Sequence, residues 1–407
     1  MIPFTPTKRG FALILVAFVS LFISLTNPNL AATIVSSGLF SIVGSGIIFS
    51  LMSIRKIHIS RSPGTDCCAG EIISLPLSIE NKSRFTRQAF VIREEFLFKE
   101  NTHHNETVSP LAGFESRVVS REIYAEKRGK YNLDKIYLIG GDPAGLFRRV
   151  ISFRAKEAIA IYPETENVNW MSLTVKKKVH VSSVKPIGVS GLGQDFFGVR
   201  EYRHSDSMRF IHWKASAKHR KLMVREFEAF GMSSVGILLD TDRKHAVRGY
   251  AGSAFEQLIK VASSAVSYVS ATNCSIFFSA FDGENGEIRN MQGSGSRVRL
   301  DIMDMLSEIK PSGKTALDML DLSVEAVPRD SILYLLSLSE SPDFFPYFDS
   351  LISRGVEIRW IYAPHKNFMY RERVPVRGEK DMKCRSMLIP TMILEPGSKI
   401  GAVLGYV

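Results

Sequence analysis

Basic, histidine and aromatic side chains crowd one stretch of this 407-residue chain, Gly191 to Glu228. Between Arg200 and Glu226 stand eight Lys/Arg, three Asp/Glu and three of the nine His, with Tyr202, Phe210 and Trp213 interleaved. The segment contributes +5 to a net charge of +11. Three chemistries suit such residues. Arginine forks fix carboxylates bidentately, so Arg200, Asp206 and Arg209 can form an ion-pair network, with Trp213 packing where the stretch docks on a sheet. Aromatic and arginine anchors with a basic rim are also the types enriched at interaction hot spots. That reading makes Arg200, Tyr202, Asp206, Arg209, Trp213, Lys214 and Arg225 candidates for a partner surface. Lys214, Lys218, Arg220 and Lys221 with aromatics between them would suit nucleic acid, but no nucleic-acid motif accompanies them, and this reading ranks last.

Other constellations are thinner. Asp240-Thr241-Asp242 could begin a divalent-cation site, since hard cations take clustered oxygen ligands; the plainer reading is a pair of strand-end carboxylates. Gly313-Lys314-Thr315 resembles the end of a phosphate-binding loop, yet Glu308 stands where that motif needs glycine. A nucleophilic triad has no glycine-flanked elbow serine, although His245 lies near Asp240. His103-His104 sit in a polar turn without further ligands. Cys67, Cys68, Cys274 and Cys384 have neither metal-ligand spacing nor a disulfide pattern, which suits a reducing compartment.

These residues need elements to position them. Gly10 to Ile54 holds no charge and is broken by Thr26-Asn27-Pro28-Asn29, a strong turn signal. The two halves, 10–25 and 30–54, are long enough to cross a hydrocarbon core as a helical hairpin. Lys8-Arg9 before it and Arg55, Lys56 and Arg61 after it put both flanks in the cytoplasm by the positive-inside rule. A signal peptide ending near Leu30-Ala31-Ala32 is the competing reading. The expectation is therefore a two-span protein of the inner (cytoplasmic) membrane. On that reading Asn81, Asn105 and Asn273 match the glycosylation pattern by chance.

Residues 57–163 alternate apolar and polar in Ile72–Glu80, Ala89–Phe98 and Ser116–Tyr124, with Gly/Pro/Asn turns between; the pattern predicts an antiparallel β-sandwich-like domain. Residues 164–190 read as a connector whose Lys176-Lys177-Lys178 is a solvated face or a contact to lipid headgroups. After the 191–233 stretch, strands alternate with helices from 234 to 362. This predicts an α/β domain with a doubly wound, mostly parallel sheet and ligands at the carboxyl ends of its strands. The tail, 363–407, has a basic middle and two apolar pieces whose fold the pattern leaves open. The fold class is thus α/β plus β behind a transmembrane hairpin. The positive charge suits an acidic partner, whether nucleic acid, anionic lipid or an acidic protein face.

Gly193-Gln-Asp-Phe-Phe-Gly-Val-Arg-Glu-Tyr202, Asp206, Arg209-Phe-Ile-His-Trp213-Lys-Ala-Ser-Ala217 and Leu222-Met-Val-Arg-Glu-Phe227 resemble the signature of the domain-of-unknown-function 58 family. Upstream, Arg128-Gly129-Lys130-Tyr131, Asp142-Pro-Ala-Gly-Leu-Phe147 and the Ile159–Pro163 strand resemble other parts of it. Gln194 and Ser205 depart from its commoner Glu and Gly. The resemblance implies a membrane-tethered protein with a von Willebrand factor A-like domain, working with a MoxR-type AAA+ ATPase and with other von Willebrand A or transglutaminase-like membrane proteins. It implies a role in chaperone-like assembly or maturation, or in envelope physiology, and leaves the biochemical activity undefined; the leading expectation is a membrane-anchored, non-enzymatic interaction or scaffold protein. A metal-ion-dependent adhesion site in such a domain needs D-x-S-x-S and a distant Thr. Here Asp240 keeps the first place, Asp242 and Lys244 replace the serines, and Thr315 stands for the distant Thr. No cofactor is expected beyond a weakly held divalent cation. A metal-assisted enzyme using Asp240, Asp242 and Thr315 is the alternative.

Overall fold

The structure is a computed structural model. It describes the chain apart from residues 1–3, 28, 172, 174–195, 203–207, 209–210, 228–233, 247–252, 273, 284–285, 370–388 and 407. There are two compact units, Met1–Thr165 with Met303–Glu308, and Glu166–Ile302 with Ile309–Val407.

The first unit begins with a short strand, β1 (Phe4–Pro6), followed by helices α1 (Lys8–Thr26) and α2 (Leu30–Ser53). Both helices are long and apolar enough to cross a membrane. Thr7 and Asn29 cap their first turns, each side-chain oxygen accepting a backbone N–H that no helical carbonyl can reach. Among the described residues eleven strands belong to this unit. The others are β2 (Ile57–Arg61), β3 (Cys67–Cys68), β4 (Ile72–Ser74), β5 (Leu77–Asn81), β6 (Phe90–Glu95), β7 (His103–Val108), β8 (Ser116–Val119), β9 (Glu122–Tyr124), β10 (Gly129–Gly141) and β11 (Phe147–Tyr162). One sheet runs β1-β11-β10-β6-β7, with β3 also on β11; a second runs β2-β5-β8, and β4 pairs with β9. Ile57, Ile59, Leu77 and Ile79 of the small sheet pack on Phe90, Ile92, Ile136 and Leu138 of the large one, giving a sandwich-like core. A second cluster joins Ile73 and Ile123 to Phe96, Phe98, Leu133 and Ile161.

A buried ion cluster accompanies these apolar clusters. Glu94 accepts from Arg61 through one oxygen and from Arg121 through the other, and all three side chains are buried. Arg61 Nε donates to Ala155 O at 2.7 Å and Arg121 Nε to Leu75 O at 3.1 Å. Glu157 lies 3.8 Å from Arg61. The helices meet the sandwich through small residues. A Cβ on Gly10 would run into the carbonyl of Leu146, and one on Gly46 would press on the Phe147 ring at 3.2 Å. Phe4 stacks on Phe147 with centroids 5.4 Å apart.

The second unit contains β12 (Phe196–Glu201), α3 (Trp213–His219), β13 (Met223–Phe227), β14 (Val235–Leu239), α4 (Ala254–Ala271), β15 (Ser275–Asp282), β16 (Glu287–Ser294), α5 (Gly295–Glu308, shared by the two units), α6 (Ala316–Ser323), β17 (Ile332–Ser337), α7 (Phe345–Ser353), β18 (Glu357–Tyr362), α8 (His365–Met369), β19 (Thr391–Ile393) and α9 (Ile400–Tyr406). Its main sheet has the order β16-β15-β14-β17-β18-β19. All neighbours are parallel except β16, which runs antiparallel to β15 at the edge. Every residue of β14 and β17 is buried, as strands covered on both faces require, so their sequences VGILL and ILYLLS show no alternation. Helices α6 and α7 build a core with Leu333, Leu335 and Trp360. The tail, left open by its sequence, adds β19 to the sheet beside β18 and ends in α9.

Candidate functional site

The described part of the charged stretch forms a two-stranded sheet and a short helix. β12 and β13 pair antiparallel, Arg200 opposite Val224 and Val199 opposite Arg225, and α3 lies between them in the chain. The Ala-Ser-Ala run explains how the helix stays close to β13. Ser216 Oγ accepts the Met223 N–H at 2.8 Å, and the His212 N–H donates to Met223 O at 2.8 Å. His212 Nδ1 accepts from Ala215 N at 3.1 Å and so caps the helix start. Ile211, Met223 and Val224 are buried beneath.

Trp213 does not join that core. The sequence expectation that it packs where the stretch docks is corrected: the indole is 68% exposed at the first turn of α3, because Ile211, Ser216 and Met223 already fill the inner face. Met208 is 68% and Leu222 45% exposed. Lys214 and Lys218 are exposed along the same helix, while Lys221 pairs with Glu201 at 2.7 Å on the surface. Tyr202 is half-buried, its N–H donating to Leu222 O at 2.8 Å. Asp206 and Arg209 lie outside the described residues, as do Lys176–Lys178 and the basic middle of the tail; for Arg200 and Arg225 the strand backbone is described.

The second constellation stands at the carboxyl ends of the parallel strands. The chain leaves β14 towards β15 on one side and returns to β17 on the other, so the loops after β14 and β17 part at this point. Such a crevice is where ligands of open α/β sheets bind. Asp240 is fully buried here. Its Oδ1 accepts from Asp242 N at 3.0 Å and its Oδ2 from Leu338 N at 2.8 Å, which ties the two loops together. Burial pushes its carboxyl up to about 6 against the pull of those two amides. Asp242 Oδ1 accepts from Lys244 N at 2.8 Å, and Oδ2 lies 2.7 Å from His245 Nδ1. The His365 ring stands 5.2 Å from that of His245, and burial, then the charges of His245 and Lys366, hold it below the usual histidine value.

Thr315 is occupied elsewhere. It caps α6, donating to Asp318 Oδ2 at 2.9 Å and accepting the Asp318 N–H at 3.3 Å. Ser312 instead brings a hydroxyl to this turn, 2.8 Å from Thr241 Oγ1. Among the described residues no group of three or more His, Cys, Asp or Glu is placed to hold a metal ion. The Asp242–His245 pair escaped the sequence reading; its signal was the three-residue spacing just past a strand end, which a single turn closes. An imidazole oriented by a carboxylate can move a proton.

Known proteins resemble this chain to differing extents. The uncharacterized protein YeaD of Bacillus subtilis (strain 168) is 23% identical over 224 residues, which are 53% of this chain. The chain spans about half the length, 54%, of that curated relative. Among solved structures, a CARDB domain from Pyrococcus furiosus shares 14% identity and a TM-score of 0.19, over 26% of this chain and 93% of that one. A beta-glucosidase from Listeria innocua in complex with glucose shares 12% and a TM-score of 0.18, over 26% of this chain and 16% of that one. Scores this low carry no weight for the fold. Residues 198–342, which hold both α3 with its exposed tryptophan and the Asp240–His245 turn, match the family model described as Protein of unknown function DUF58.

Proposed function

We propose that the protein is a membrane-anchored, non-enzymatic interaction protein whose β12–α3–β13 segment is its docking surface. The partner is a MoxR-type AAA+ ATPase, and the setting is protein assembly, maturation or envelope physiology at the cytoplasmic face of the inner membrane. The carrying observation is the exposure of Trp213, with Met208, Leu222, Lys214 and Lys218 of the same segment exposed as well. An exposed indole with a basic rim is the residue set of an interaction hot spot. The β16-β15-β14-β17-β18-β19 order with one antiparallel edge strand supports the reading of the α/β unit as von Willebrand A-like.

The test is direct binding of the full-length protein, held in lipid nanodiscs, to a purified MoxR-type ATPase. Truncating a hot-spot aromatic costs about 2 kcal/mol or more, roughly thirtyfold in Kd. Trp213→Ala is therefore expected to weaken binding by that factor without altering stability. Unchanged binding would remove the segment from the interface.

The metal-assisted alternative has less support. Both Asp240 oxygens and both Asp242 oxygens already have donors or an imidazole against them, and the Thr315 hydroxyl is spent on its helix cap. Calorimetric titration with Mg²⁺, Ca²⁺ and Mn²⁺ decides it: tight binding abolished by Asp240→Ala would revive the alternative.

A further inference from the structure

One end of the β-sandwich lies where α2 leaves the hairpin. β2 starts just after α2, and β5 runs antiparallel to it, so Asn81 at the end of β5 pairs with Ile57 at the start of β2. The turn after β5 therefore sits at the helix end, with Lys82 N–H donating to Lys56 O at 2.9 Å. β8 is antiparallel to β5, so the turn that precedes β8 sits there too, with Phe114 N–H donating to Ser83 O at 3.0 Å. Asn81 Nδ2 pins both turns at once, donating to Phe85 O at 2.9 Å and to Ala112 O at 2.8 Å. Arg87 Nη1 donates to Met52 O at 2.5 Å, in the last turn of α2. Gly113 comes so close to the Arg84 carbonyl that a Cβ there would collide with it. The two turns are thus one rigid block fastened to the helix end.

That block presents apolar rings to the outside. Phe85 is 51% and Phe114 73% exposed. Phe114 holds φ +61°, a left-handed backbone that an aromatic residue rarely adopts, and the fastened turns maintain it. The Arg84 guanidinium lies 4.7 Å over the Phe85 ring. Arg55, Lys56, Lys82 and Arg84 are all exposed around them, Lys82 in a surface pair with Glu80 at 3.5 Å. The sandwich core neither uses these rings nor needs the cations. Two exposed aromatics in a basic collar, at the end of an apolar helical hairpin, match a bilayer boundary: apolar bodies at the acyl edge and cations at the phosphates.

We infer that Phe85 and Phe114 form a foot that enters the headgroup boundary of an anionic bilayer, with Arg55, Lys56, Lys82 and Arg84 on the lipid phosphates. The inference rests on α1 and α2 spanning that bilayer. The foot would fix the height and tilt of the sandwich over the membrane.

The test uses the full chain in vesicles of phosphatidylglycerol and phosphatidylcholine with brominated acyl chains, which quench indoles that reach them. Phe85→Trp and Phe114→Trp each add an indole, and the emission of the parent with Trp170, Trp213 and Trp360 is subtracted. The added emission should shift to the blue and be mostly lost in brominated lipid. Phe11→Trp, in the first span, is the control. If it is quenched and both foot indoles are not, the foot is overturned while the span stands. If Phe11→Trp is itself unquenched, the span reading falls and the foot with it. In pure phosphatidylcholine, or in a Lys82→Glu/Arg84→Glu background, quenching of Phe114→Trp should drop; equal quenching would overturn the role given to the basic collar. A Phe114→Trp indole unquenched by lipid yet shielded in native membranes would assign the rings to a protein contact instead.

Discussion

Replacing Glu94 by Gln should loosen the β-sandwich more than any other isosteric change in it. The carboxylate is buried between two buried guanidinium groups and accepts from both. Acceptors are already short in this cluster: Arg61 Nη1 and Arg121 Nη2 are buried without a hydrogen-bond partner. The Arg121 guanidinium also lies over the Phe96 ring at 5.6 Å, so it is held among apolar neighbours. A glutamine keeps the shape but removes the charge and turns one acceptor into a donor facing an arginine. Glu157, 3.8 Å from Arg61, compensates only that one residue. Removing one member of a buried ion cluster costs about 3–5 kcal/mol, because the remaining charges stay buried. For a domain of this size that is a fall of about 15 °C or more in melting temperature. The assay is hydrogen exchange of the detergent-solubilised full chain, followed by mass spectrometry on peptides from β6 and β10. Protection there should collapse while β14 and β17 keep theirs. The apolar triple variant Arg61→Met/Glu94→Leu/Arg121→Met should recover most of the loss, since apolar replacements of buried ion triads are often neutral or stabilising. A change below about 1 kcal/mol for Glu94→Gln would refute the reasoning, because it would mean that water or rearrangement satisfies both arginines.

Further outcomes follow from other sites. Asp240 has a folded value of about 6, above its ordinary 3.8, so the protonated form is favoured in the folded state. Its contribution is full below the unfolded value and is lost as pH rises through 6, up to about 3 kcal/mol for this fully buried group. Urea denaturation of the α/β unit between pH 4.5 and 7.5 should show that slope, and Asp240→Asn should flatten it. Ser216→Ala strips the buried Met223 N–H of its acceptor and should cost about 1–3 kcal/mol of local stability, read as faster amide exchange in β13. Gly10→Val forces a side chain into the Leu146 carbonyl and should lower the detergent melting temperature of the first unit by several degrees, an overpacking cost of about 1–3 kcal/mol.

Much of the architecture is legible in the residues. Thr26-Asn27-Pro28-Asn29 marks the break between the apolar helices, with Asn29 as the cap of the second. The run Ile72–Glu80 alternates as expected, although Leu75-Pro76 splits it into β4 and β5 because proline has no N–H for a ladder. The long hairpin of β10 and β11 was not foreseen. Its middle carries Asp134, Lys135, Arg154 and Lys156 at exposed positions with few apolar partners, so its length comes from pairing between the two strands. β16 was missed for a related reason: EIRNMQGS is an exposed edge strand that gains its structure from β15. Trp213 misled in the other direction. A large apolar residue in a dense motif reads as core, but three smaller residues had taken the inner face. The tail's β19 depends on an available edge beside β18, which no local pattern announces.

β1 has a consequence for how the protein is made. Phe4, Thr5 and Pro6 pair with Arg149, Arg148 and Phe147, so the first residues of the chain close a sheet whose other strand is translated long after both helices. At about 5–20 residues per second, β1 must wait on the order of ten seconds for its partner. During that time the two apolar helices are already made. If both helices cross a membrane, the leading residues and the later strands come out on one side of it, and the sheet can close. With only one helix across, β1 would be parted from β11, whose edge would then stay open.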